Sequence, residues 1–361
     1  MGYKAFLAKT AVIYITVLFA AMTILYIFTY PAVQRLYWDL VNYQAHQLET
    51  YNREHHQGPL NMTQLKIEIQ KYKNSLIMAY GLNQPFLIKY AIQMWRLLTF
   101  NFGVTVVTSG GVNPYQSYAP TNKINTIIAV ALPRTILLFT TGTVIIVVVG
   151  ILLGVLAARY QGSAYDRAIP VIAVIHSSLP TWWVGFLLIA ALAYDLHWFP
   201  PNGMVSIGLS FSQEPLQYTL SLLDHMVLPL LAFFIVNIGG FAYVVRSLAL
   251  ATSKEDFVLT AKARGLPERK IVFGHILRTA SPSIVTQVML MLAGSLAGGL
   301  TTEIVFVWPG VGYLTYLAVM QEDENMVMAI TYVLTLVLVL ALFINEIIKG
   351  ILDPRIRSSA E

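Results

Sequence analysis

The chain has 361 residues, of which 57% are hydrophobic and only 11% charged, less than half the roughly 25% charge of a soluble domain. A water-soluble fold of this length is excluded, because it would need more polar surface. The lack of cysteine excludes disulfides and thiolate metal sites, and the formal charge of +5 is distributed as a topology signal rather than as a nucleic-acid surface. The first apolar run, Ala11 to Tyr30, contains no Asp, Glu, Lys or Arg and reaches the roughly 18–20 residues that cross a hydrocarbon layer. It is too long for a signal peptide and lacks a small-x-small cleavage site, so it reads as a retained first span.

Six spans are expected, at about 10–30, 135–158, 168–194, 226–250, 283–306 and 326–348, the third interrupted by Pro170 and Pro180. The fold class is therefore an all-α membrane bundle. Its units are the N-terminus and first span (1–30), an outer cap segment (31–133) and a five-span core (134–361). With the N-terminus inside, the inner segments 1–9, 159–167, 246–278 and 349–361 carry most of the 23 basic residues, whereas the outer loops 195–225 and 307–325 carry none. The positive-inside rule then puts both termini in the cytoplasm and makes lipid, not nucleic acid, the surrounding partner.

The outer segment is the one part with soluble character. Leu65 to Tyr80 reads as an amphipathic helix with Leu65, Ile69, Tyr72 and Leu76 on one face. Gln93 to Phe100, with Trp95, reads as interfacial, and Ser109-Gly110-Gly111 with Pro114 marks a loop. His55-His56 has no third ligand nearby, so a solvated loop is expected there and no metal. Asn61-Met62-Thr63 is a glycosylation acceptor pattern.

The inner loop 246–281 is longer than a connector needs to be. Ser253 is suited to cap a helix whose first turn holds Glu255 and Asp256. Phe257 to Arg264 continues it, Gly265 stops it, and Pro267 opens a second helix from Glu268 toward Ala280. A short helix that is small at Ala261 and Ala263 and basic at Lys262 and Arg264 is shaped to dock into a groove on a partner. The alternative is a cationic anchor lying on the lipid surface.

The stretch Asp256-Phe257-Val258-Leu259-Thr260-Ala261-Lys262-Ala263-Arg264-Gly265-Leu266-Pro267-Glu268-Arg269-Lys270 closely resembles the cytoplasmic coupling loop of binding-protein-dependent importers, in particular the dipeptide/oligopeptide permease family. In order along the chain, Gly154 to Ala158 with Asp166-Arg167, Leu179 to Gly185, Trp198 to Gly203, His225 to Pro229, Glu303 to Gly312 and Leu352 to Arg357 fit the same family. Two departures stand out. Leu259-Thr260-Ala261 keeps only the last Ala of the usual Glu-Ala-Ala before Gly265, and 31–133 is long and lacks the usual Pro-Gly-Asp-Pro after the first span.

The resemblance implies a permease that forms a peptide path with a second homologous permease. Two ATPase subunits and an extracellular solute-binding protein complete the machine. ATP and Mg are then bound by the partners, and this chain carries no cofactor. It also implies that Asp256, Thr260, Ala261, Lys262, Ala263, Arg264 and Gly265 dock an ATPase. The same class also carries oligosaccharides or nickel.

The absence of Gly-x-x-x-x-Gly-Lys-Ser/Thr agrees, since no loop here would cradle ATP phosphates. Gly294 and Gly298 form a small-residue face for helix packing, either within the chain or against a sister permease. His176 and Ser177 in the third span, and Glu303 at a span end, are candidate path residues, with intrahelical or structural hydrogen bonding as the alternative. An ion-coupled secondary transporter would show inverted repeats and mid-span charges, and a membrane enzyme a convergent polar cluster; neither pattern is visible.

Overall fold

A computed structural model describes residues 3–55, 62–105, 114–296 and 299–352. Among these residues it contains helices and no strands, and five helices are long and apolar enough to span a membrane, or six when a bent pair counts as one span. The features expected at Asn61, His56, Ser109 to Gly111, Gly298 and Asp353 to Arg357 lie outside the described residues.

The first helix, α1, runs Tyr3–His55, 53 residues, or about 80 Å at 1.5 Å per residue. The expected limit at residue 30 therefore falls in mid-helix. The limit follows the apolar run Ala11 to Tyr30, but the helix continues through Pro31, since a proline removes only one backbone donor, and the helix formers that follow it carry the helix on. Beyond Tyr30, α1 forms an arm with α2 (Met62–Ala79). Val41, Ala45 and Leu65 are buried there, Tyr37 stacks on Tyr80 with ring centroids 5.1 Å apart, and the Lys73 ammonium donates to Asn42 Oδ1 at 3.2 Å. Helix α3 (Phe86–Leu98) returns to the bundle, burying Met94 and Leu97 while Leu87 and Trp95 stay exposed.

Helix α4 (Ile124–Arg159) also overrides an expected limit, since 133/134 lies inside it. It packs along α7 (Pro215–Ser253), and small residues set the spacing. A Cβ built on Gly154 would lie 2.6 Å from the Ala242 carbonyl oxygen, so only glycine permits that approach. The expected third span is two helices, α5 (Ala164–Ser178) and α6 (Thr181–Asp195), bent by 89° at Leu179-Pro180. Pro180 has no N–H to continue α5, and Ser178 turns its hydroxyl back to the Val174 carbonyl at 2.7 Å. Pro170 lies inside α5 without ending it.

After α7 come α8 (Asp256–Ala263) and α9 (Glu268–Ser295), then the short α10 (Leu300–Val305), α11 (Val311–Met320) and α12 (Glu324–Leu352). Two expectations are corrected here. The second helix of the inner loop does not end near Ala280 but continues as the next span, because wide π turns at Ile271–Ile276 carry it on. That span in turn is described to Leu296 and is over by Gly299, whose backbone is extended, rather than running to 306, and α10 is a separate helix. The core lies in two main clusters. One joins α1, α3, α4, α11 and α12 around Met22, Tyr115, Ile127 and Leu314; the other joins α4, α7, α8 and α9 around Ile146, Val245, Val258 and Ile271.

Candidate coupling surface and translocation elements

The ends of α4 and α7 and the starts of α5 and α9 meet at one end of the bundle. Arg159, the last residue of α4, lies 3.5 Å from Glu268 at the start of α9. The Arg246 guanidinium of α7 donates to Asp166 near the start of α5, and Gly162 N–H donates to the other carboxylate oxygen at 2.9 Å. Asp166 is 4% exposed, so its charge is stabilised by that arginine and by the loop amide rather than by water. Ser163 caps α5 by accepting from Asp166 N–H at 3.2 Å.

Across this end lies α8. Glu255, not Ser253, occupies its N-cap position; Ser253 is the last residue of α7, and its hydroxyl donates to the Leu250 carbonyl at 2.7 Å. The helix stops where expected. Gly265 has φ +70° and donates its N–H to the Lys262 carbonyl at 2.9 Å, while Leu266 N–H reaches Ala261 at 3.3 Å, the closing bonds of a left-handed helix end. Pro267 then sits at the N-cap of the next helix.

The packing of α8 divides the expected docking residues. Val258 is fully buried and Ala261 5% exposed, both within the cluster that holds Val245, Ala249, Ile271, Val272 and Ile276. The small size of Ala261 is thus set by this chain's own α7 and α9. Asp256, Thr260, Lys262, Ala263, Arg264 and Gly265 are exposed, together with Phe257 and Leu259. Sequence reasoning passed over these two apolar side chains; their signal was a pair of large apolar residues, at 257 and 259, flanking a buried valine.

The candidate path residues are not brought together. His176 and Ser177 end α5 at the 89° bend, and the Ser177 hydroxyl donates to the Val174 carbonyl at 3.1 Å, the intrahelical alternative. Glu303 is fully buried elsewhere, on α10. Its Oε1 accepts from Thr135 Oγ1 at 2.7 Å and its Oε2 from Tyr313 N–H at 3.0 Å, while Thr135 Oγ1 also accepts from Val311 N–H at 2.7 Å. The carboxylate therefore clasps the Trp308 to Gly312 turn. A Cβ on Gly310 would collide with Glu303 and Thr135, so that turn admits only glycine there. Trp308 Nε1 donates to the Arg134 carbonyl at 3.1 Å, and Tyr118 Oη to the Gly310 carbonyl at 3.1 Å. Gly294 has open space where a Cβ would stand, so it makes no close packing among the described residues.

No cluster of three or more metal-ligating side chains occurs among the described residues. Residues 150–358 match the family described as binding-protein-dependent transport system inner membrane component. The oligopeptide transport system permease protein AppB of Bacillus subtilis is 29% identical over 80% of this chain and 85% of its own length. The di/tripeptide transport system permease protein DppB of Pseudomonas aeruginosa is 31% identical over 77% and 82%. Among solved structures, an inward-facing form of the MetNI methionine ABC transporter aligns with a TM-score of 0.50 and 15% identity, over 63% of this chain and 96% of that one, a likeness of fold.

Proposed function

Because the chain belongs to the binding-protein-dependent transport system inner membrane components, we propose that it is the path-forming permease of an ATP-driven importer of peptides. The cargo is taken from the relatives, which are oligopeptide and di/tripeptide permeases aligned over about four-fifths of their length. Energy comes from separate ATPase subunits, in keeping with a sequence that lacks a phosphate-cradling loop. A second permease completes the path, and a solute-binding protein delivers cargo on the side of the α1–α2 arm. Both termini and α8 face the cytoplasm, as the basic residues at the α8 end argue.

The observation that carries this reading is α8, a short helix with one face sealed to the bundle and the other exposed. Its exposed face holds Phe257 (37% exposed) and Leu259 (59% exposed) beside Lys262 and Arg264. Apolar side chains left in water beside cations suit a protein groove with an acidic rim. In this mechanism ATP-driven closure of the ATPases moves α8, the spans rock, and the cavity opens to one side and then the other.

The test is uptake of labelled peptides into vesicles, with ATPase pull-down, for the chain produced with its partner subunits. Leu259→Asp should release the ATPases and abolish uptake, while Lys262→Ala should be mild, since exposed ion pairs contribute only about 0–1 kcal/mol. Full coupling in Leu259→Asp, or ATP hydrolysis by the chain free of other subunits, would overturn the proposal.

A further inference from the structure

A cavity of about 260 Å³ opens where the arm meets the bundle, between α1, the α2–α3 turn, α3 and the start of α12. Its chemistry is unlike that of the lipid-facing surface around it. Helix α3 turns Lys89, Gln93 and Arg96 into the cavity, residues spaced four and three apart and so on one helical face. Its other side exposes Leu87, Ile88 and Trp95, at 73%, 50% and 68%. Opposite the cations stands Glu324, which accepts from Thr29 Oγ1 at 3.0 Å.

Charges of both signs thus face one cavity without meeting. Among the described residues the ion pairs are Arg53–Glu49, Arg159–Glu268 and Arg246–Asp166, none of them here. Among the described residues the Lys89 ammonium has only Gln34 Oε1, at 3.1 Å, and the ring of Tyr30, 5.7 Å away. Burial holds it below the usual lysine range, and an anion beside it would relieve that cost. Two cations on one wall and a carboxylate on the other match a ligand that carries an anion and an ammonium together.

A second cavity, about 320 Å³ and mostly apolar, shares Val33 and Glu324 with the first and is lined by Phe28, Leu36, Val319 and Val327. Both lie at the outer end of the charge-free stretch of α1, which runs from Thr10 to Gln34, the level at which tyrosines such as Tyr26, Tyr30 and Tyr37 gather. We propose that the two cavities form one aminophospholipid site. The lipid phosphate faces Lys89 and Arg96, its ammonium faces Glu324, and an acyl chain lies in the apolar cavity. The site ties the arm to the bundle through a lipid, so it regulates how the arm is held and stands apart from peptide passage.

The test reads lipid retention, not transport. The full chain, with whichever subunits copurify, is placed in nanodiscs of phosphatidylethanolamine, phosphatidylglycerol and phosphatidylcholine, moved to detergent and examined by native mass spectrometry. Phosphatidylethanolamine should be retained. Lys89→Gln and Arg96→Gln should each lower retention about tenfold, the worth of one charge-assisted hydrogen bond. Glu324→Gln should keep lipid but lose the preference for ethanolamine over glycerol headgroups. Ala79→Phe, which fills the cavity and alters no charge, should lose lipid with an unchanged thermal transition, so the test survives if a charge variant fails to fold. Equal retention in Ala79→Phe, or displacement of the lipid by soluble phosphoethanolamine at comparable concentration, would overturn the assignment.

Discussion

Arg246 on α7 donates to Asp166 on α5, 80 residues away in the chain, and their side chains are only 17% and 5% exposed. The pair fixes the start of α5 to the end of α7 that leads into α8. Removing one member strands the other. Asp166→Ala should destabilise the chain by about 3–5 kcal/mol, read as a lower thermal transition in detergent. The double variant Asp166→Leu/Arg246→Met should recover most of that loss. A double variant no more stable than Asp166→Ala would show that the pair is not what holds the two helices.

The Glu303 clasp gives a contrast between two glycines. Gly310→Ala forces a methyl against Glu303 and Thr135 and should cost roughly 1–3 kcal/mol. Gly294→Ala meets open space and should be neutral to slightly stabilising, because alanine is the better helix former. Thermal unfolding of the two variants side by side decides the point. Equal effects would mean that the turn relaxes around the added carbon.

Gly265 isolates a backbone effect. It has φ +70° and nothing within 4 Å of a built Cβ, so space does not limit substitution there. Gly265→Val should cost about 1–3 kcal/mol through left-handed strain, whereas Gly265→Asn, a residue that visits that region, should be nearly silent. Uptake and ATPase association should follow the same order. Loss of function in Gly265→Asn equal to that in Gly265→Val would point to a steric role in docking.

Topology has a direct check, because the chain has no cysteine of its own. Asn74→Cys on the arm should label with an impermeant maleimide in intact cells, and Ala263→Cys on α8 only after permeabilisation; both positions are exposed. Labelling of Ala263→Cys from outside would reverse the orientation.

Much of this architecture was legible in the sequence. Charge-free apolar runs are a one-dimensional signal, so most spans are found from them, and the Gly265-x-Pro267 punctuation marks the end of α8 and the start of α9. Helix limits were less legible. The apolar run suggested an end at Tyr30 where α1 runs on through Pro31; of the two prolines read as interruptions, Pro170 lies inside α5 and Pro180 marks an 89° bend. The difference lies in tertiary packing, which local propensity does not report. The Asp166–Arg246 pair and the Glu303–Thr135 bond were invisible because they join residues 80 and 168 positions apart. Charge counting assigned Arg246 to topology, and in the fold it also bears a contact.

The burial of Val258 and Ala261 sets the stiffness of the joint. A helix tethered only by its two loops has slack, and a pull on it is absorbed before anything else moves. Here the buried side of α8 shares a core with residues of α7 and α9, and short connections, residues 254–255 and 264–267, join it to them. In the importer mechanism proposed above, α8 is therefore a yoke across two rods, and a small displacement there passes to both rather than being lost in the loop.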